Sequence, residues 1–238
     1  PLWSRGLGDV YKRQEDRSVE SWAHAYTRGV RGLRVGVPAH WCFGDIEPDV
    51  ERLVRAAIAD LRAMGVEVVE IELPGVEQAQ AHLMPMVHAD AAQVHARRLA
   101  EQPEVFGADV LDRMRHGQAV TGPQYAASMR FKERWLRVLD DVFRQVDVVL
   151  TPTCPVTAPL RTDTARMLET TRKISRFTYA WAMAGTPALS VPCGHAANGL
   201  PVGIQLIAPR WHDARVLALG AHYLSLIHIS EPTRPERI

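Results

Sequence analysis

From Val50 onward the apolar residues recur at Leu53, Val54, Ala57, Ile58, Leu61 and Met64. This three-and-four spacing puts one stripe of an α-helix toward a core. Glu47-Pro48-Asp49 precedes the stripe and Gly65 follows it, and proline suits a first helical turn as glycine suits a stop. On either side the period changes. Leu33 to Val37 is a short β-rich run closed by Pro38, and Val66 to Leu73 alternates as a half-buried strand. Strand, crossover-length helix and strand predict two parallel neighbours in one sheet, joined right-handedly.

The middle of the chain reads as helical. Val76 to Leu99 and Gly107 to His116 carry mixed apolar spacing, and Gly122 to Val146 is clearer, with Tyr125, Met129, Trp135, Leu139, Val142, Phe143 and Val146 assigned to one face. Asp147 to Leu150 predicts a buried strand ending at Thr151-Pro152-Thr153-Cys154-Pro155, and Thr164 to Ala184 a helix stopped at Gly185 and Pro187. Ala188 to Pro192 and Val202 to Ile207 read as strands around the turn Ala197-Asn198-Gly199, and Asp213 to Tyr223 as a closing helix. These elements predict an α/β protein whose mixed, mostly parallel β-sheet is covered by α-helices.

The two ends of the chain are related to each other. With suitable codons, Pro1 to Gln14 and Leu224 to Arg237 translate opposite strands of one DNA sequence, residue against residue. That DNA resembles a transposon-end sequencing adapter, so residues 1–14 and 224–238 are expected to be adapter-derived and residues 15–223 to be part of a single domain. Without those ends, Lys+Arg number 23 against 24 Asp+Glu. No nucleic-acid or membrane partner is expected from that balance. Cys42, Cys154 and Cys193 are few, far apart and without a C-x-x-C pair, which argues against a disulfide framework or a structural zinc site. A reducing cytoplasm is the expected compartment, and no run of residues has the length and apolarity of a membrane span.

Three blocks, in order, carry a family resemblance. They are Gly32-Leu33-Arg34-Val35-Gly36-Val37-Pro38, then Val146-Asp147-Val148-Val149-Leu150-Thr151-Pro152-Thr153, then a segment within Phe177 to Tyr223. The last contains Gly185-x-Pro187-Ala188-Leu189-Ser190-Val191-Pro192-Cys193-Gly194 and Gly199-Leu200-Pro201-Val202-Gly203-Ile204-Gln205-Leu206-Ile207. Together they resemble the C-terminal half of an amidase signature enzyme, and the fold implied is an incomplete version of that family's.

The resemblance implies hydrolysis or transfer of a small substrate's amide by a Ser nucleophile, a second Ser held by a cis peptide and a Lys, with no metal or organic cofactor. A serine hydroxyl needs a base, and a lysine whose pKa is lowered by burial can serve through a relaying serine. Backbone N–H groups then hold the oxyanion. Residues 15–223 hold the serines Ser18, Ser21, Ser128, Ser175 and Ser190 and the lysines Lys132 and Lys173. None of the serines lies in G-x-S-x-G or three residues before a lysine, and no two are adjacent. No catalytic residue is therefore assigned among them. The family pattern places them before Gly32, in sequence expected to precede Glu15 and lost by truncation.

Substrate contacts are still expected. Arg113 resembles an arginine that contacts a substrate carboxylate in amidotransferase members, as a guanidinium fork can; a solvated arginine at a helix end is the other reading. Ser175, Thr178 and Trp181 precede the Gly185-x-Pro187 turn, where family members place substrate-contacting side chains, and core packing is the competing assignment for Trp181 and Tyr179. Cys193 and His195, two apart on a strand, share a face on which a Cys-His dyad would fall, although ordinary packing accounts for Cys193, and for Ser190 as well. The histidines His82, His88, His95 and His116 make no i, i+4 pair for a metal. The expected function is the C-terminal part of an amidase, inactive alone, acting on a small-molecule amide and forming a homodimer. The alternatives are the A subunit of a glutamyl-tRNA amidotransferase, with the other subunits as partners, and a non-catalytic binding or scaffold protein.

Overall fold

Residue 27 and residues 29–160 and 167–230 are described in the computed structural model. In chain order the elements are β1 (Arg34–Val37), α1 (Ala39–Cys42), α2 (Pro48–Ala63), β2 (Glu67–Glu70), a 3-10 turn (Val76–Gln78), α3 (Ala79–Val94), α4 (Ala96–Glu101), a second 3-10 turn (Pro103–Val105), α5 (Ala108–Gln118), α6 (Gly122–Gln145), β3 (Val148–Pro152), α7 (Met167–Ile174), α8 (Tyr179–Ala184), β4 (Ala188–His195), β5 (Pro201–Ile207) and α9 (Asp213–Ser230). The strands form one five-stranded sheet in the order β2-β1-β3-β5-β4.

The predicted β1–α2–β2 unit is present, with Val35 opposite Val68 in parallel register. Val50, Leu53, Val54, Ala57, Ile58 and Leu61 form the buried face of α2, Pro48 lies in its first turn beside Asp49 and Glu51, and Arg62 lies in its last. Those charges complement the helix dipole. β1 is also parallel to β3, but β3–β5 and β5–β4 are antiparallel. The mixed sheet thus divides evenly between parallel and antiparallel pairings rather than being mostly parallel, because the chain's last two strands are a hairpin added to the parallel part. All five residues of β3 are buried, which explains its unbroken apolar run: both faces of a central strand are covered.

Each face has its own core. Val35, Val148, Leu150, Ile204 and Leu206 pack with α2 and with Leu219 and Tyr223 of α9. Val149 and Ile207 face the other way, toward Trp135 and Leu139 of α6 and Trp181 of α8. The buried stripe of α6 is Ser128, Phe131, Trp135, Leu139 and Val142. Met129, assigned to that face from spacing, is 38% exposed, and Tyr125 turns to donate to Asp90 Oδ1 at 3.0 Å. The helix starts on a capping box between Thr121 and Gln124, a reciprocal bond that fixes its first turn. Beneath it α5 packs against α3 so closely that a Cβ at Gly117 would meet the His88 carbonyl.

The helix predicted from Thr164 to Ala184 is broken: α7 ends at Ile174 and α8 begins at Tyr179, while residues 164–166 lie outside the described residues. Local side-chain bonds accompany the break. Ser175 Oγ donates to Thr171 O at 2.7 Å and Thr178 Oγ1 to Ser175 O at 2.9 Å, local bonds that compete with a continuous ladder. Phe177 is fully buried in the turn between them. The strand expected from Val66 to Leu73 is regular only over Glu67–Glu70, with Ile71 and Leu73 instead serving the core beside α6. The closing helix runs past Tyr223 to Ser230.

Candidate functional site

A cleft of about 450 Å³ opens where β3 ends, walled by Thr153 and the following Cys154–Pro159 loop, by Ser190 and Pro192 of β4, by Pro201 and Gly203 of β5, and by Ile174. Thr153 and Ser190 sit on either side of β5, and strands two apart in a sheet are separated by roughly 10 Å. Their hydroxyls nevertheless meet at 2.7 Å. They can do so because the residue between them is Gly203, where a Cβ would lie 3.0 Å from Thr153 Oγ1 and 3.1 Å from Ser190 Oγ. The result is a hydroxyl pair set in an otherwise apolar floor. Burial pushes the Cys154 thiol up from its ordinary value, so the cleft has no ionised lining group at neutral pH.

The surrounding loops are pinned through Glu47 and Asp49. Glu47 donates its backbone N–H to Pro155 O at 2.8 Å and accepts from Thr157 N at 2.8 Å. Asp49 accepts from Ala197 N at 2.6 Å, and that backbone hydrogen bond, followed by the Arg52 side chain, lowers its carboxyl below the usual range. The start of α2 therefore holds both the post-β3 loop and the β4–β5 turn.

Ser175, Thr178 and Trp181 occupy the α7–α8 turn, with Ser175 one residue past Ile174 of the cleft wall. Ser175 and Thr178 spend their hydroxyls on backbone carbonyls. Trp181 is 1% exposed and packs edge-on to Trp41 and tilted against Trp135; its indole N–H is buried without a partner among the described residues. Arg113 lies on α5, away from that turn, with α3 packed against both α5 and α8. Its Nη2 is 3.7 Å from Asp109 Oδ2 and its Nε is buried without a hydrogen-bond partner among the described residues. His88 of α3 is held below its ordinary pKa by burial and then by the charges of Arg113 and His116.

Sequence reasoning does not find Arg176. Its guanidinium donates to Trp41 O at 2.6 Å and Gly44 O at 2.5 Å and lies over the Phe177 ring at 4.9 Å, so it clamps the α7–α8 turn to the loop after α1. The only local signal is an arginine between Ser175 and a buried phenylalanine. Sequence reasoning assigns Ser190 to the sheet, where it is, and misses its pairing with Thr153.

Cys193 and His195 are divided by a register shift between Pro192 and Gly194. Cys193 packs against the α2 core, with its thiol pushed up to about 12 by burial, while His195 is exposed. A thiol so raised is not a thiolate nucleophile at neutral pH. Lys173 is 49% exposed and 3.9 Å from Asp45, and Lys132 is half-buried on α6. Among the described residues no group of three or more His, Cys, Asp and Glu is placed to hold a metal ion, and no helix is long and apolar enough to cross a membrane.

The family profile described as Amidase matches residues 8–217. An amidase of Pseudomonas putida is 34% identical, over 82% of this chain and 43% of that protein. The A subunit of the glutamyl-tRNA(Gln) amidotransferase of Synechococcus sp. (strain RCC307) is 31% identical, over 87% of this chain and 48% of that protein. Among solved structures, a crystal structure of an amidase superposes with a TM-score of 0.75 at 27% identity, covering 84% of this chain and 46% of that one. The structure of the glutamyl-tRNA(Gln) amidotransferase A subunit from Thermotoga maritima gives 0.71 at 28%, covering 86% and 44%. The chain spans less than half the length of each of these relatives, and its sequence and its sheet together place it in the amidase signature family.

Proposed function

We propose that the protein to which this chain belongs hydrolyses the C–N bond of a small, neutral carboxamide, and that these residues form one wall of its pocket. The observation that carries the reading is the uncharged cleft at the end of β3, with the Thr153–Ser190 hydroxyl pair as its polar feature. Moving an ionised substrate group into such a lining without a counter-charge is costly, whereas an amide needs only hydrogen bonds. The family resemblance leads one to expect an acid near Ser175 in an amidotransferase A subunit, and its absence supports the hydrolase. Thr153 and Ser190 are pocket floor and not the nucleophile, since each hydroxyl's partner is the other and activation requires an adjacent base. The nucleophile, its relaying serine and the lysine are assigned to sequence preceding residue 15. No cofactor enters this chemistry. Three free cysteines support a cytoplasmic location, and the proposed assembly is a homodimer.

The second reading, an amidotransferase A subunit that works with partner subunits, is favoured by one observation. Arg113 Nε is buried without a hydrogen-bond partner among the described residues, a donor that a carboxylate would satisfy. Recovering the coding sequence upstream of residue 15 and assaying the uninterrupted protein for ammonia release separates the two. Neutral carboxamides turned over without tRNA support the hydrolase; activity confined to a complex with glutamyl-tRNA supports the amidotransferase. The 238-residue chain is expected to release no ammonia from small carboxamides, and turnover abolished by Cys193→Ala would overturn the assignment of the nucleophile.

A further inference from the structure

At the opposite end of β3 and β5, a groove of about 620 Å³ lies between the end of α6, the start of β1 and the turn leading into α9, and the proposed amide chemistry leaves it unused. Arg34, Arg144, Arg210 and Arg215 line it against only two carboxylates, Asp140 and Asp147. Asp147 is already committed: Oδ2 accepts from Arg34 N at 2.9 Å and Oδ1 from Arg215 Nη1 at 3.2 Å. Arg144 is paired with Asp141 at 2.7 Å. Arg210 is exposed and its guanidinium makes no ion pair among the described residues. The lining therefore carries an excess of positive charge concentrated on an uncommitted guanidinium.

The aromatic component is Trp211. Its backbone sits at φ 72°, a left-handed conformation that bulky L-residues rarely adopt and that surrounding structure must enforce. The enforcement is visible: His212 N donates to Pro209 O at 3.1 Å, the His212 ring Nδ1 is 3.0 Å from Arg210 O, and Arg215 N donates to His212 O at 2.9 Å. This turn keeps the indole 38% exposed at the groove beside Arg210. Phe143 and Leu136 of α6 supply an apolar wall. A guanidinium fork suits a phosphate or carboxylate, and an exposed indole suits a planar ring.

We propose that this groove binds a small aromatic phosphate, with the phosphate on Arg210 and Arg215 and the ring against Trp211. The test titrates the full 238-residue chain with phenyl phosphate and with inorganic phosphate by calorimetry. Phenyl phosphate is expected to bind saturably and at least tenfold more tightly than inorganic phosphate. Arg210→Gln is expected to weaken it about tenfold, and Trp211→Gly, which relieves the backbone while removing the ring, to bring its affinity down to that of inorganic phosphate. Both variants should keep the wild-type thermal midpoint to within a few degrees. Arg97→Gln, on α4 at a 90% exposed arginine, is expected to change nothing. Absence of saturable binding, equal affinity for the two probes, wild-type affinity in Arg210→Gln, or an equal loss in Arg97→Gln would each overturn the proposal. None of these readouts depends on amide hydrolysis, so the site stands or falls apart from the proposed function.

Discussion

The two ends of the same central strand are opposites. Where β3 leaves the sheet at Thr153, the cleft is mostly apolar and its polar side chains are uncharged, chiefly the Thr153–Ser190 hydroxyl pair and Thr157. Where β3 enters, at Asp147, the groove is lined by four arginines and two aspartates. The difference follows from what each end must hold. At the entry end Asp147 joins three segments, bonding the start of β1 through Arg34 N and the helix after β5 through Arg215, so charge there is structural glue that also leaves guanidinium groups over. At the exit end the loops are joined through backbone N–H groups to Glu47 and Asp49 outside the cleft, which leaves its interior free of charge. Parallel strands commonly present ligand sites beyond their C-terminal ends, and the neutral cleft is at that end of β3.

The largest effect should come from the residue common to both ends. Leu150, at the centre of β3 and 0% exposed, becomes a cavity when changed to Ala, and the expected loss is about 2–5 kcal/mol by urea unfolding, loosening cleft and groove together. An end-specific change sharpens the contrast. Asp147→Ala leaves Arg34 N without its carboxylate acceptor and Arg215 with only the Asp147 backbone carbonyl at 3.3 Å, and should cost about 1–3 kcal/mol, while hydrogen exchange at the β4–β5 turn stays at wild-type rates. Gly203→Ala acts at the other end. Its methyl group falls 3.0 Å from Thr153 Oγ1, so it should part the hydroxyl pair at a cost of about 1 kcal/mol. The two end variants lie far enough apart that their effects should add, and strong coupling between them would break the picture of independent ends.

The smallest effect is a pH dependence at Asp49. Its carboxyl titrates below the ordinary value of 3.8 in the folded chain, so its contribution is present above that value and is lost as pH falls through the lower folded-state value. The stability gap between wild type and Asp49→Asn should be constant from pH 7 to about 5 and shrink below about pH 4, when followed by thermal unfolding across that range. A gap that widens in acid would contradict the Asp49–Ala197 tether.

Legibility in the sequence tracked how local the cause was. The α2 stripe from Leu53 to Leu61 is readable because period, Pro48 and Gly65 all act within one helix. The turn at Ser175–Thr178 is not, although Ser175 and Thr178 bond locally, because the break is secured by Phe177 in the core and by Arg176 on carbonyls of residues 41 and 44. The α6 face is half readable. Trp135, Leu139 and Val142 are core as expected, while Met129 and Tyr125 belong to neighbouring faces, since several apolar residues crowd that helix and only its packing against α3, α8 and the sheet selects the stripe. Of the expected pocket residues, Ser175 and Thr178 share one turn and Arg113 stands on another helix; no periodicity relates them.

By itself the sequence determined the family, through three ordered blocks, and the parallel β1–α2–β2 unit, because apolar period and turn residues act over a few positions. Only the tertiary structure decided that Thr153 and Ser190 meet across a strand, that Asp147 gathers three segments, and that Arg176 clamps a turn to a distant loop. These contacts join residues far apart in the chain, and their geometry depends on a glycine-sized gap or a carbonyl's direction that exists only once the sheet is assembled.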